Sequence, residues 1–255
     1  MNFVDTHCHL YSEEFENDIT SELAKAKQAN VDTIILPAID SASHDRLFAL
    51  ASANPSCYPL IGLHPTSVNS NYRMELDLVE RYLSQKKVYG IGEIGVDLYW
   101  SKEYRKEQRD VFASQVELAT THNKPIIIHS REGFQEILDV LSSFKGKALN
   151  GIFHAFTGDI AMYRKISSLG DFKIGIGGIV TFKNSGLAEV VADIPLEDIV
   201  LETDSPYLSP APYRGKRNSP AYIPIIAKKI AEIKNLCLED VALPTSKNAK
   251  TIFNI

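Results

Sequence analysis

Phe3-Val4-Asp5-Thr6-His7-Cys8-His9 opens the chain with a short β-forming run that ends on two metal-ligating side chains. The pattern recurs down the sequence. Apolar runs rich in β-formers span Thr33 to Ala38, Tyr58 to His64, Val88 to Gly95, Pro125 to His129, Ala148 to His154, Phe172 to Gly178 and Ile199 to Asp204. Each gives way to a Gly, Pro or polar stretch, as a strand does at its end. Helical patterns separate them, such as Glu103 to His122, where Phe112, Val116 and Ala119 recur at helical spacing among charged residues. Eight strands alternating with eight helices predict an α/β fold, the (β/α)8 TIM barrel. The C-terminal ends of parallel barrel strands converge on one mouth, where such barrels place their chemistry. His7, His9, Glu93, His129, His154 and Asp204, dispersed along the sequence, would meet there.

With 255 residues the chain fits one such barrel, so residues 1–255 are expected to form a single domain. The last helix of the barrel is expected to start at Ser219-Pro220, where Ser can cap free N–H groups and Pro fits the first turn, and to run through Ile225 to Ile233. The tail from Leu238 to Ile255 carries apolar patches interrupted by Pro244 and is expected to be helical and to pack against the outside of the barrel. A hydrophobic share of 44% and a charged share of 23% are those of a soluble globular protein. A net charge of −5 argues against a polybasic surface that coats nucleic acid, though not against a local basic site. Cys8, Cys57 and Cys237 are odd in number and widely spaced, which predicts neither a disulfide framework nor a zinc knuckle. No signal-peptide pattern precedes Asp5 and no apolar run approaches the roughly 20 residues of a membrane span, so a cytoplasmic location is expected.

The six strand-end residues carry the chemistry. Side chains alternate along a strand, so His7 and His9 point the same way, with Asp5 below them and Cys8 turned towards the helices as an inert core thiol. A histidine closing an apolar strand must find polar partners or lose the solvation it leaves behind. Three strand ends carrying His and two carrying carboxylates make a ligand set the economical reading. Six donors are too many for one tetrahedral ion, and two divalent ions fit better. Nitrogen and oxygen donors without Cys favour Zn, Mn, Fe or Co and admit Mg. Glu93, flanked by glycines in Gly92-Glu93-Ile94-Gly95, can bridge the pair, and Glu202, two residues before Asp204, can orient a ligand. Two such ions lower the pKa of a water and polarise a phosphoryl or carbonyl oxygen, so hydrolysis is the expected reaction.

At these residues the chain resembles the TatD family of metal-dependent deoxyribonucleases, within the amidohydrolase-like barrels. The resemblance rests on Asp5-Thr6-His7-Cys8-His9-Leu10, Gly62-Leu63-His64-Pro65, Gly92 to Asp97, Pro125 to Arg131, His154-Ala155-Phe156-Thr157-Gly158, Glu202-Thr203-Asp204-Ser205-Pro206 and Arg214 to Pro220. It spans essentially the whole chain. It implies that His7, His9, Glu93 and Asp204 hold one metal, that Glu93 bridges to a second held by His129 and His154, and that the substrate is DNA, often attacked as by an exonuclease.

For the substrate, His64 is expected to face the mouth and hydrogen-bond a phosphate. Arg214, Lys216 and Arg217 form a compact basic cluster after Asp204, and Arg131 follows His129; Arg214, Arg217 and Arg131 are assigned to neutralise a phosphodiester. Tyr99, Trp100, Tyr207 and Tyr213 are candidates either for stacking on bases or for packing under loops. Asp204 is assigned as metal ligand and general base. A strand end or a single strand is the expected DNA form, since an acidic surface confines contact to the mouth, and no obligate protein partner is indicated. Two alternatives stay open: a hydrolase of the same superfamily acting on another ester or an amide, against which stands Glu93 where a carbamylated Lys is usual, and a non-catalytic metal-binding scaffold.

Overall fold

A computed structural model describes all residues, 1–255. Eight short strands alternate with helices: β1 (Phe3–Asp5), α1 (Ile19–Gln28), β2 (Val31–Leu36), α2 (Ser41–Ala53), β3 (Cys57–Pro59), α3 (Tyr72–Gln85), β4 (Ile91–Asp97), α4 (Arg105–His122), β5 (Ile126–Arg131), α5 (Phe134–Ser143), β6 (Asn150–Phe153), α6 (Ile160–Ser167), β7 (Asp171–Ile176), α7 (Leu187–Asp193), β8 (Ile199–Leu201), α8 (Ile223–Lys234) and α9 (Leu238–Phe253). All ladders are parallel, in the order β1-β2-β3 and β4-β5-β6-β7-β8. Two isolated parallel bridges join the arcs: Ile61 with Ile91, and Cys8 with Ser205. Hydrogen bonds reinforce the second seam, Thr6 N to Leu201 O at 2.9 Å, His9 N to Ser205 O at 2.8 Å and Asp204 N to His7 O at 2.9 Å. The result is the TIM barrel.

Several expected strands are shorter than the apolar runs. β1 stops at Asp5 and β8 at Leu201, so His7, His9 and Asp204 stand not on regular strands but on the extended segments that close the seam between them. β4 and β5, by contrast, stay paired past Glu93 and His129, through Asp97 and Arg131.

Inside the barrel, Val4, Ile35, Leu60, Ile127, Ile152 and Val200 form one buried apolar layer. Their neighbours Ile34, Leu36, Ile126, Ile128, Phe153, Ile199 and Leu201 belong to the larger cluster under the helices. This is strand alternation at work. Two positions beyond three members of the layer stand His129, His154 and Glu202, and four beyond Leu60 stands His64. One aliphatic layer therefore forms the floor of the polar mouth.

The role expected of the tail needs correction. α9 runs unbroken through Pro244, and its Ala249, Ile252 and Phe253 pack into the interior layer rather than on the outer ring. The helix plugs the end of the barrel opposite the mouth, because an open layer of aliphatic side chains would otherwise face water. No helix is long and apolar enough to cross a membrane.

Candidate metal centre

Glu93 sits at the centre of the mouth, its carboxylate almost wholly buried and its two oxygens facing different partners. Oε2 lies 3.1 Å from His7 Nε2 and 3.5 Å from His9 Nε2. Oε1 lies 2.9 Å from His129 Nδ1, 3.5 Å from His154 Nε2 and 3.3 Å from His64 Nε2. Asp204 completes the first side, its Oδ1 3.8 Å from His7 Nε2 and 3.7 Å from His9 Nε2. Burial opposes the charge on Glu93, but the surrounding histidines outweigh it and hold the carboxyl well below its usual range.

Neighbouring groups orient the rings of His9, His129 and His154. Tyr11 donates its hydroxyl to the carbonyl of Pro37 at 2.6 Å and lies 2.9 Å from His9 Nδ1, so the ring must donate from Nδ1. His9 Nε2 is left with a lone pair aimed into the cluster. His129 lies between two carboxylates, Nε2 2.8 Å from Asp97 Oδ2 and Nδ1 2.9 Å from Glu93 Oε1; a cation taken up on the Glu93 side would displace the Nδ1 proton and leave the one on Nε2 facing Asp97. His154 Nδ1 lies 3.1 Å from Glu202 Oε1, off the line of a well-formed hydrogen bond, with Nε2 turned to Glu93. Pairing of a ligand histidine with a carboxylate on its far nitrogen orients the ring and raises its basicity.

His64 differs. The backbone N–H of Thr66 donates to its Nδ1 at 3.1 Å, and the Thr66 hydroxyl, 2.6 Å from the same nitrogen, is placed to donate too, so in the neutral ring the proton is on Nε2. Although His64, Glu93 and His129 are close enough to hold an ion, His64 has no lone pair to offer; it is a hydrogen-bond donor aimed at the cluster.

Burial and charge set the protonation of the remaining groups. Burial and the neighbouring His154 hold the His7 imidazole well below its ordinary range, so it is neutral. Burial alone would lower His129 and His154 as well, but the Asp97 and Glu93 carboxylates push the former up to about 9, and Glu202 with Glu93 push the latter up to about 10. Asp204 is raised to about 6 and Asp5 to about 8, both chiefly by burial. Asp5 accepts from Thr203 N at 2.9 Å, Thr203 Oγ1 at 2.6 Å and His7 N at 3.2 Å, which clamps the segment bearing His7 to that bearing Asp204. Glu202 is walled in, its Oε1 accepting from Ala155 N at 2.6 Å. Gly175 makes room for it: a Cβ there would lie 2.1 Å from Glu202 Oε2.

These donors fit metal ions. His7 Nε2 and His9 Nε2 are 3.1 Å apart, with His9 bound to present a lone pair. Four donors held tetrahedrally at about 2.1 Å from a divalent ion are about 3.4 Å apart. The His7, His9, Glu93 and Asp204 separations of 3.1 to 3.8 Å bracket that edge. Glu93, His129 and His154, at 2.9 and 3.5 Å, do so as well. His7 Nδ1, His154 Nδ1 and Glu202 Oε2 are buried without hydrogen-bond partners, a cost the fold carries beside this site.

The mouth is a cavity of about 470 Å³, lined by His9, His64, Glu93, His129, His154 and Asp204 and rimmed by Trp100, Arg131, Tyr207 and Leu208. Arg131 thus stands at the rim. Arg214 and Arg217 do not; they line a neighbouring hollow. The Arg217 guanidinium is already engaged: it bonds the Glu14 carbonyl and the Asp18 carboxylate, lies 3.4 Å from Glu22, and stacks on Phe15. The loop is thereby fastened to α1. Arg214 rests 4.2 Å over the Phe182 ring.

Two residues escaped the sequence reading as individual participants. Asp97 lies on the strand alternation that runs from Glu93 through Gly95, and that period was the available signal. Tyr11 follows His9 at the same interval, but its bond to Pro37 is tertiary and leaves no sequence mark.

Comparison with known proteins gives the chain its family. The profile of a family described as "TatD related DNase" matches residues 4–254. The chain is 36% identical over 252 residues, 98% of both chains, to the uncharacterized metal-dependent hydrolase YabD of Bacillus subtilis. It is 33% identical over 259 residues to the uncharacterized metal-dependent hydrolase YcfH of Escherichia coli, covering all of this chain and 97% of that one. Among solved structures, YjjV, a TatD homologue from Escherichia coli, superposes with a TM-score of 0.93 at 30% identity over 99% of this chain and 98% of its own. The full-length family match and the relatives' identity establish that the chain belongs to the TatD family and is a metal-dependent hydrolase.

Proposed function

We propose that this hydrolase is a deoxyribonuclease that removes nucleotides from a DNA strand end, working with two divalent ions drawn from Mg, Mn and Zn. One observation carries the reading: Glu93 Oε2 faces His7 and His9, which also approach Asp204, while Oε1 faces His129 and His154. A carboxylate so divided suits a bridge between two ions. The ions, when bound, polarise the phosphoryl oxygen and make water more acidic.

The chain's own groups have distinct tasks in this scheme. Asp204 is the base. Its side chain is 15% exposed against 3% for Glu93, so it is the cluster carboxylate a water can reach, and it receives the proton of the water that attacks phosphorus. His64 donates from Nε2 to a non-bridging phosphate oxygen. Arg131 at the rim offers the cationic contact for the phosphate of the bound strand. His129 and His154, held by Asp97 and Glu202, keep their rings fixed through turnover. The cavity, at about 470 Å³, has the scale of a small-ligand site and favours a strand end over continuous duplex.

Short single-stranded DNA labelled in turn at each end, incubated with the metal-loaded protein, tests the proposal beside chelated protein and Asp204→Asn. Stepwise shortening from one end, lost in both controls, is expected. Asp204→Asn should lower turnover by about 10² to 10⁴-fold, the usual contribution of a positioned base, with a far smaller change in melting temperature. Intact DNA in a sample shown to carry metal would overturn the reading in favour of another ester or amide.

A further inference from the structure

Three aromatic side chains are exposed on this molecule, Tyr99 at 51%, Trp100 at 70% and Tyr207 at 49%, and all three stand on loops that rim the mouth. Trp100 and Tyr207 line the cavity that holds Glu93 and Asp204. A large ring left in water forgoes its burial energy, and such a concentration at one cavity marks a surface that binds.

Trp100 is not a loose surface ring. Asp97 Oδ1 accepts from the backbone N–H of Tyr99 at 3.0 Å and of Trp100 at 3.4 Å, fixing the turn that follows β4. The two rings meet edge to face, 5.0 Å apart. The Arg131 guanidinium lies 3.6 Å over Tyr99 and 5.4 Å from the centre of Trp100, and Arg131 O accepts from Leu98 N at 2.9 Å. The unit is a preformed, cationic, aromatic shelf. On the opposite side of the eight-strand ring, Tyr207 follows β8, its ring 6.3 Å from that of His9.

Resting on the deoxyribonuclease reading, we propose that Trp100, braced by Tyr99 and Arg131, is the stacking platform for a nucleobase adjoining the scissile phosphate. Arg131 contributes twice, stacking beneath the platform and offering N–H groups to the phosphate that joins that base to the strand. Stacking is blind to base identity because every base has a π-face. The platform therefore gives affinity for single-stranded DNA with little sequence preference, and it makes Trp100 a specificity residue for base-bearing strands over other phosphodiesters.

Trp100 is the sole tryptophan of the chain, so intrinsic indole fluorescence reports on this position alone. The test titrates Mg-loaded protein with a short phosphorothioate single strand that resists hydrolysis, and with an abasic strand of the same length. The proposal expects quenching by the base-bearing strand well beyond that by the abasic strand. Trp100→Ala should weaken the base-bearing strand about 5- to 160-fold, measured by anisotropy of a labelled strand, with a much smaller effect on the abasic strand. Trp100→Phe should recover most of the difference. Equal quenching by both strands, or equal loss of affinity for both, overturns the platform even in a protein that cleaves DNA. Cleavage of end-labelled DNA by the wild type is read in parallel: a metal-loaded protein that neither binds nor cleaves DNA overturns the nuclease reading, and the platform falls with it.

Discussion

Asp97→Asn is the most searching substitution this site offers, because the residue faces two ways. Its Oδ2 lies 2.8 Å from His129 Nε2, and its Oδ1 accepts from the amides of Tyr99 and Trp100. Asparagine keeps the shape and, with its oxygen on the amide side, keeps the turn. It then presents an NH2 group to His129 Nε2, which must become an acceptor, moving the ring proton to Nδ1 and removing the lone pair that faces Glu93. Loss of a carboxylate behind a ligand histidine lowers metal affinity by about 10- to 100-fold, or about 1.4 to 2.8 kcal/mol. In the metal-stripped protein, loss of the charged hydrogen bond itself costs about 1.5 to 3 kcal/mol, undiminished by solvent because the Asp97 carboxylate is buried. Calorimetric titration of Zn into stripped protein, with a competing chelator to bring tight sites into range, should show one of two ions weakened and the other, on the His7 and His9 side, little changed. Asp97→Ala should add a second defect by releasing the Tyr99–Trp100 turn, visible as a change in Trp100 emission that Asp97→Asn does not produce. Two undiminished sites in Asp97→Asn would refute the tautomer assignment and with it the second donor set.

Two further outcomes test the frame around the site. Phe253→Ala, in the plug beneath the interior layer, should cost about 3 to 5 kcal/mol of stability by chemical denaturation while leaving metal affinity near that of wild type; a small loss would mean that α9 covers the layer without supporting it. Chelation should lower the melting temperature, since an ion present at about 100 times its dissociation constant stabilises by about 2.7 kcal/mol, and an unchanged transition would argue that the donors are held by the fold alone.

What the sequence made legible follows from range. The barrel was readable because each strand announces itself in a local run, and the strand-end rule then gathers His7, His9, Glu93, His129, His154 and Asp204 without any knowledge of the long-range contacts. Strand lengths were overread because apolar character persists past the last ladder bond: His64 stands five residues beyond β3, yet still on the alternation that began at Leu60. The partners of Arg217 were hidden for a different reason. A basic loop beside a catalytic strand looks like a phosphate site until its acids are known, and Asp18 and Glu22 lie some two hundred positions away. The plug was invisible since its socket is assembled from single residues of five strands and Leu60 just past β3.

The groups behind the rings give the strongest reason to separate His64 from His9, His129 and His154. All five imidazoles crowd one carboxylate, and distance alone makes His64 as good a ligand as His129, at 3.3 against 2.9 Å from Glu93 Oε1. The difference lies on the far nitrogen. Behind His9, His129 and His154 stands an oxygen that can take a proton from the ring, whereas behind His64 the Thr66 amide donates to Nδ1 and leaves the Thr66 hydroxyl, 2.6 Å from the same nitrogen, to donate as well. A ring whose far nitrogen donates keeps a lone pair for a cation; a ring whose far nitrogen accepts keeps a proton for an anion. The mouth thus carries both halves of what a phosphodiester requires, donors for the ions and an N–H for the phosphate, and His64→Gln, which retains an N–H, should preserve more activity than His64→Ala while leaving metal affinity near wild type. Loss of an ion from His64→Ala would show instead that His64 is a ligand.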